Sequence, residues 1–378
     1  MDKTFLNKIL IKAQEIKASD IHLLSNLKPY ARIHGEIKQL TDFQVLSAQN
    51  ILNILLSILD KNLQEIFLKK LQVDFAYFNT DNNTRYRVNA FRDSKGISIV
   101  FRALNSNIPI LEESDYPDIF KKIASLDKGL VLICGPTGSG KSTTIATMID
   151  YINRNTEKHI ITIEDPIEYI YESKKSIINQ REIGKNVVSF AEGLKGALRE
   201  DPDVILVGEL RDQKTIKLAL TAAERGHLVF GTLHTISASK TIGRIIDSVA
   251  NEEKDIIRNM LSTSLRAVVL QTLLKKPNNS GRVPAYEILV GTTAIRNLIR
   301  DNKIFQIDSM IQTGSKFGMT TMKDYIQKLI QKNKVDRKLA TEMIMKSDED
   351  VFRVEEPTKK YSYLEHDPVF NNKDPLYG

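Results

Sequence analysis

Gly135-Pro136-Thr137-Gly138-Ser139-Gly140-Lys141-Ser142 sets glycines, a lysine and a hydroxyl residue at the spacing with which a backbone wraps a chain of phosphates. The glycines let amide groups turn inward, and the helix that follows adds partial positive charge at its first turn. Lys141 is placed to neutralise the β and γ phosphates, Ser142 offers a hydroxyl to magnesium, and Thr143 extends the candidate nucleotide-binding set. The loop stands directly after the apolar run Leu130 to Cys134 and directly before a helical pattern opening Thr143-Thr144-Ile145, the context this chemistry requires. ATP and Mg2+ are therefore the expected substrate and cofactor, and magnesium-dependent ATP hydrolysis the expected reaction.

Phosphoryl transfer also needs carboxylates near the γ phosphate, to hold the metal through water and to orient the attacking water. Asp203-Val-Ile-Leu-Val-Gly208-Glu209 is a buried strand ending in an acid, where ligands bind in open α/β sheets, and Glu209 is the candidate general base. Thr162-Ile-Glu164-Asp165-Pro166-Ile-Glu168-Tyr169 follows another such strand. Glu164 and Glu168 are candidates to support metal and water, the plain alternative being a solvated acidic loop. Ser142 is the expected direct metal ligand, with Glu164 or Glu209 acting through water. Gly226 to Thr235 opens and closes a third strand with histidines; His234, at the carboxyl end, is placed to sense the γ phosphate with help from Thr235, and His227 suits a structural or subunit contact. Arg199 and Arg211 flank the Asp203 to Glu209 strand and could stabilise transferring charge, one of them in a neighbouring subunit. Arg87, Arg92 and Arg102 could close over the nucleotide; each reads equally well as surface charge.

The positioning elements follow from periodicity. Residues 1–108 read as an α+β domain: a helix from Leu6 to Ile16, strands at Asp20 to Leu24 and Tyr30 to Leu40, a helix over Gln49 to Leu71, then an antiparallel meander at Val73 to Asn79, Thr84 to Phe91 and Ile97 to Leu104. A linker at 109–118, with Pro109 and Pro117, leads into residues 119–349. There, short apolar strands at Leu130 to Cys134, Ile160 to Ile163, Val204 to Val207 and Leu228 to Leu233 alternate with helices at Lys141 to Asn153, Phe190 to Glu200, Gln213 to Arg225 and Ala238 to Val249, the pattern of parallel strands buried on both faces. From Glu252 onward helices are expected to dominate, and residues 350–378 to form a frayed tail.

Composition narrows the field. At 378 residues, with 42% hydrophobic and 27% charged residues, the chain lies near globular averages, which disfavours disordered and fibrous classes. No apolar run approaches the roughly 18 residues of a membrane span, and Lys8, Lys12, Gln14, Glu15 and Lys17 break up any leader-like N-terminal run, so a cytoplasmic protein is expected. The lone Cys134 excludes a multi-cysteine zinc site. A net charge of +7 keeps a nucleic-acid translocase in view, but there is no Trp and no aromatic-basic interleaving, so nucleic acid is not an expected partner.

On these motifs the chain resembles the type IV pilus retraction ATPases of the secretion ATPase superfamily. The resemblance runs from Ser19-Asp20-Ile21-His22 to about residue 345, and covers the phosphate loop, the acidic box at Thr162 to Tyr169, the segment Leu198 to Asp212 and the histidine box at Gly226 to Thr235. Thr293-Ala294-Ile295-Arg296-Asn297-Leu298-Ile299-Arg300 resembles the C-terminal segment tied to retraction in that family; by periodicity alone it is an amphipathic helix. The resemblance implies a homohexamer of PAS-like N-terminal and RecA-like P-loop ATPase domains, with a helical C-terminal region and arginines from both domains lining the site. It also implies docking on a platform protein at the inner-membrane base of the pilus machine, retraction of pili, and twitching motility. The tail extends past the family's usual ending, which leaves open an accessory paralogue of the retraction ATPase.

Overall fold

The computed structural model describes residues 3–33, 35–104, 107–277 and 281–349, so the expected tail lies outside the described residues. The first part of the chain runs α1 (Lys3–Glu15), β1 (Asp20–Leu24), β2 (Tyr30–Ile33), β3 (Glu36–Gln39), α2 (Ala48–Ile58), α3 (Lys61–Lys70), β4 (Gln72–Asn79), β5 (Thr84–Asp93) and β6 (Gly96–Leu104). Its six strands form one antiparallel sheet in the order β3-β2-β1-β6-β5-β4. Alternation makes the sheet two-faced. Ile21, Leu23, Phe75, Val88, Ile99 and Phe101 pack under Leu6, Ile9 and Leu10 of α1 and Ile51, Ile54 and Leu55 of α2, while Asp20, Arg85, Arg87 and Arg102 belong to the opposite, polar face.

The helix expected over Gln49 to Leu71 is two helices. Asp60 caps the second by accepting the Leu63 amide at 2.9 Å, and Gln64 Nε2 donates to the Leu59 carbonyl at 3.0 Å, so the polar groups freed by the break are bonded.

After the connection come α4 (Ile119–Ala124), β7 (Gly129–Cys134), α5 (Lys141–Asn155), β8 (His159–Glu164), β9 (Ile177–Glu182), α6 (Phe190–Ala197), β10 (Val204–Val207), α7 (Gln213–Glu224), β11 (Leu228–Leu233), α8 (Ala238–Asp247), α9 (Lys254–Ser264), β12 (Leu265–Lys275), β13 (Arg282–Val290), α10 (Thr293–Arg300), α11 (Ile307–Thr313), α12 (Met322–Gln331) and α13 (Arg337–Glu349). The sheet order is β13-β12-β7-β11-β10-β8-β9, with every neighbouring pair parallel except β12 with β13. Both faces are covered. Leu130, Leu132 and Cys134 face a cluster with α6 to α11, whereas Val131 and Ile133 join α4 and α5.

Three strands depart from the sequence expectation. β12 and β13 lie where helices were expected to dominate, and β9 was not foreseen. β12 mixes helix formers (Leu, Ala, Gln, Lys) with the β-branched Val268, Val269 and Thr272, and burial between β7 and β13 settles it as a strand. Pro284 in β13 is tolerated because β13 is an edge strand.

Phe120 is fully buried where the connection meets the sheet, its ring centroid 5.7 Å from that of Tyr116 and 5.0 Å from that of Tyr286. Phe120→Ala should cost about 3–5 kcal/mol through lost burial and a cavity. A lowered urea midpoint with a native-like circular dichroism spectrum is the expected reading.

Candidate nucleotide site

The phosphate loop spans the gap between fully buried β7 and α5. Gly135 and Gly140 have φ of 137° and 87°, in the left-handed region that glycine adopts without strain. At Gly135 space is also limiting, since a Cβ would stand 2.2 Å from the Gln271 carbonyl oxygen of β12. Lys141 is buried, and its Nζ donates to the carbonyls of Gly135 at 2.8 Å and Pro136 at 3.0 Å. Burial pulls its ammonium below the ordinary lysine range, against the opposing pull of the Glu209 and Glu168 carboxylates. Burial pushes the Cys134 thiol up, which keeps it protonated.

Gln271 was not foreseen. Its Oε1 accepts from Thr144 Oγ1 at 2.7 Å and its Nε2 donates to the Ser139 carbonyl at 2.8 Å, clamping the middle of the loop and the first turn of α5 to β12. Its signal was a polar residue closing the buried run Ala267 to Gln271. Ser139 Oγ is buried with no protein partner, a donor left over beside the place where phosphate oxygens would sit.

Parallel pairing places the ends of β7, β11, β10 and β8 along one rim. Leu233 pairs with Cys134, so His234 follows beside the loop, its Nδ1 3.5 Å from Lys141 Nζ. His234 Nε2 is 3.5 Å from Glu209 Oε1, and Glu209 Oε2 is 2.7 Å from Arg211 Nε. Burial and then the nearby Lys141 charge hold the His234 imidazole below its usual range, with Glu209 opposing. Gly208 lies against β8, and a Cβ there would approach the Ile163 carbonyl oxygen to 3.1 Å and Glu164 Cα to 3.3 Å.

Glu164, at the end of β8, accepts from Thr162 Oγ1 at 2.7 Å and Gln180 Nε2 at 3.3 Å. Burial pushes its carboxyl up to about 7, the two hydrogen bonds oppose this, and the Glu168 charge adds to it. The acidic loop is tied to the first turn of α5 by a 2.7 Å bond between Tyr169 OH and Thr143 Oγ1. Ser142 lies next in that turn, half-buried. Thr235 is buried, its Oγ1 2.6 Å from Thr241 Oγ1.

Other candidates stand elsewhere. Arg199 is exposed in the turn ahead of β10, whereas Glu209 follows the far end of that strand, so the sheet separates them within one chain. His227 immediately precedes β11, away from the phosphate loop, with Nδ1 2.7 Å from the Pro202 carbonyl. Arg87 and Arg102 are cross-strand partners, and their contacts are to Asp74 and Asp20 of the first sheet; Arg92 sits five residues along β5, toward the hairpin. Ala294 to Arg300 form most of α10, with Ile295 and Ile299 buried, Leu298 packed against the core and Ala294, Asn297 and Arg300 exposed. Arg296 is half-buried. β13 runs against its neighbours, so α10 starts at the rim opposite the phosphate loop.

No three His, Cys, Asp or Glu side chains gather as a metal cluster among the described residues. The donors at the rim, a serine hydroxyl and scattered carboxylates, fit an ion that keeps several waters and binds mainly through phosphates, as magnesium does.

The type II/IV secretion system protein family model matches residues 2–353. The chain belongs to that family. Within it, the chain is 52% identical over 303 residues to a twitching motility protein of Neisseria gonorrhoeae, covering 80% of each. It is 46% identical over 337 residues to the type IV pilus retraction ATPase PilT of Pseudomonas aeruginosa, covering 89% of this chain and 97% of that one. To the type IV pilus ATPase PilU of the same organism it is 34% identical over 328 residues, covering 87% of this chain and 85% of that one. The crystal structure of a pilus retraction motor PilT with bound ADP superposes with a TM-score of 0.82 at 44% identity, covering 89% of this chain and 95% of that one. Among the described residues no helix is long and apolar enough to cross a membrane.

Gln271→Leu should leave Thr144 and Ser139 without their buried partner, costing about 1–3 kcal/mol of loop order. The expected result, in titrations with a fluorescent ADP analogue, is affinity weakened about tenfold or more with little change in melting temperature.

Proposed function

We propose that the chain is an ATP-hydrolysing motor that drives type IV pilus retraction and hence twitching motility. The observation that carries this is the convergence of Lys141, His234 and Glu209 at one rim, in a chain similar along most of its length to proteins named for that activity. The greater likeness to PilT than to PilU favours the main motor over an accessory paralogue.

In this reading the loop amides of Gly135 to Thr143 and the Lys141 ammonium bind the phosphates, and Glu209 positions or deprotonates the attacking water. His234, held neutral and touching both Lys141 and Glu209, reports whether a γ phosphate is present. Mg2+ would be held by Ser142 with Glu164 or Glu209 through water, supplying positive charge to the phosphates. Glu164 and Glu168 support metal and water, and Arg211 holds Glu209 in place. Arg87 and Arg102 close over the nucleotide, whereas Arg92, five residues along β5, alternates to the other face of the first sheet.

Arg199, in the turn ahead of β10, stands at the opposite end of that strand from Glu209, which supports its supply to a neighbouring subunit in a homohexamer. The strand order β12-β7-β11-β10-β8 supports a RecA-like domain over 119–349, and the helix-backed antiparallel sheet supports a PAS-like domain over 1–108, joined by a linker at 109–118. The ring would work at the cytoplasmic, inner-membrane base of the pilus machine, against a platform protein, with His227 at a structural or subunit contact and α10 serving retraction.

Lys141→Ala should abolish hydrolysis with the melting temperature kept, and should fail to restore twitching to a piliated strain lacking its retraction ATPase where the wild type succeeds. Twitching restored equally by both would overturn the reading. Glu209→Gln should bind ATP and not turn it over; lost binding would instead assign Glu209 a structural role.

Burial pushes the Glu164 carboxyl up to about 7 in the nucleotide-free protein. The stability that its neutral form holds is lost as pH climbs from about 4.5 through 7. Glu164→Gln should therefore melt above wild type at pH 8, with the gap closing below pH 5.

A further inference from the structure

Between the two sheets, one carboxylate collects donors from three elements. Glu182 ends β9, its side chain 4% exposed. Its Oε2 accepts from Arg85 Nη2 at 2.7 Å and from the Ile167 amide at 3.1 Å, and its Oε1 pairs with Lys185 Nζ at 2.6 Å. The Arg85 side chain is 16% exposed, so this pair is largely withdrawn from water. Lys185 Nζ also donates to the Ala76 carbonyl of β4 at 3.4 Å. A cavity of about 260 Å3 lies alongside, lined by Asp74, Phe75, Asp165, Pro166, Glu182 and Lys185 among others.

The placement of these donors goes beyond gluing two surfaces together. Ile167 is the residue just before Glu168 and three after Glu164, so the bond to its amide fixes the backbone of the acidic loop at its middle. Arg85 stands two residues before Arg87 on β5, and alternation puts both on the polar face of the first sheet. Glu182 is itself the cross-strand partner of Glu164. We propose that Glu182 is a positioning residue for phosphoryl transfer, holding the acidic loop through the Ile167 amide and tying that loop through Arg85 to the strand that carries Arg87. A movement of the first sheet that shifts Arg87 and Arg102 must then also shift or release the loop bearing Glu164 and Glu168.

The inference rests on the ATPase reading above, and the test separates the two. Steady-state hydrolysis would be measured for full-length wild type, Lys141→Ala, Arg85→Met, Arg85→Lys, Glu182→Gln and the Arg85→Met/Glu182→Gln double variant, with amide hydrogen exchange over residues 164–170. Arg85→Met and Glu182→Gln are each expected to lower kcat about tenfold while KM for ATP stays within about twofold, the signature of a group that positions chemistry instead of binding substrate. The double variant should be no slower than the slower single, because one junction is broken only once. Arg85→Lys should recover most of the rate, and exchange at Ile167 should quicken in both single variants. Hydrolysis that survives Lys141→Ala would overturn the ATPase reading and the junction with it. Hydrolysis lost in Lys141→Ala but unchanged in Arg85→Met and Glu182→Gln, or effects that multiply in the double variant, would overturn the junction alone.

Discussion

Parallel pairing in a fixed register carries the rest of the molecule. Leu132 opposite Gly231, Gly231 opposite Val207 and Val207 opposite Ile163 bring four chain segments to one rim at the same height. A slip of one residue in any pair would turn each side chain of that strand to the other face. Covering both faces makes such a slip costly. It also leaves the rim as the place where backbone amides and carbonyls run out of ladder partners and polar loops begin. The phosphate loop, Glu209, His234 and the acidic loop are what the chain puts there.

At that rim, charge balance governs geometry. Lys141 is held in a buried setting by two backbone carbonyls, with the carboxylates of Glu209 and Glu168 within electrostatic reach. His234 lies between the ammonium and Glu209, so a change in the company of Lys141 is felt by both side chains beyond it. Opposing charges held apart in a low-dielectric setting respond strongly to an arriving polyanion. Gln271 adds the neutral part of the design, bonding loop groups that carry no charge of their own and would otherwise be buried unpaired.

The four apolar strands and the phosphate loop were legible because their signals are local: short Val, Ile and Leu runs, and a glycine spacing with one physical use. Glu209 and His234 could be named from their position after such runs, but their contact depends on strand order, which no local pattern encodes. β12 escaped notice because its leucines, Ala267 and Gln271 suit a helix as well as a strand until β7 lies beside it, and β13 because Pro284 and Glu287 interrupt its run of strand formers. Gln271 was hidden with them. Arg85 and Glu182 were hidden for another reason, since each is an ordinary charged residue until the two sheets meet. Arg199 illustrates the converse: its nearness in sequence to the Asp203 to Glu209 strand suggested proximity, whereas the length of β10 holds it away from Glu209.

The antiparallel return of β13 sets α10 at the opposite rim from the phosphate loop. Between them lies a sheet six residues deep at β7, about 20 Å of closely packed strand. Close-packed interiors compress little, so a push at one rim cannot be absorbed within the slab and must reappear at the other as tilt or translation of the whole block. The separation of the two rims is set by strand length, so shortening β7 or β13 would change how far apart the phosphate loop and α10 stand.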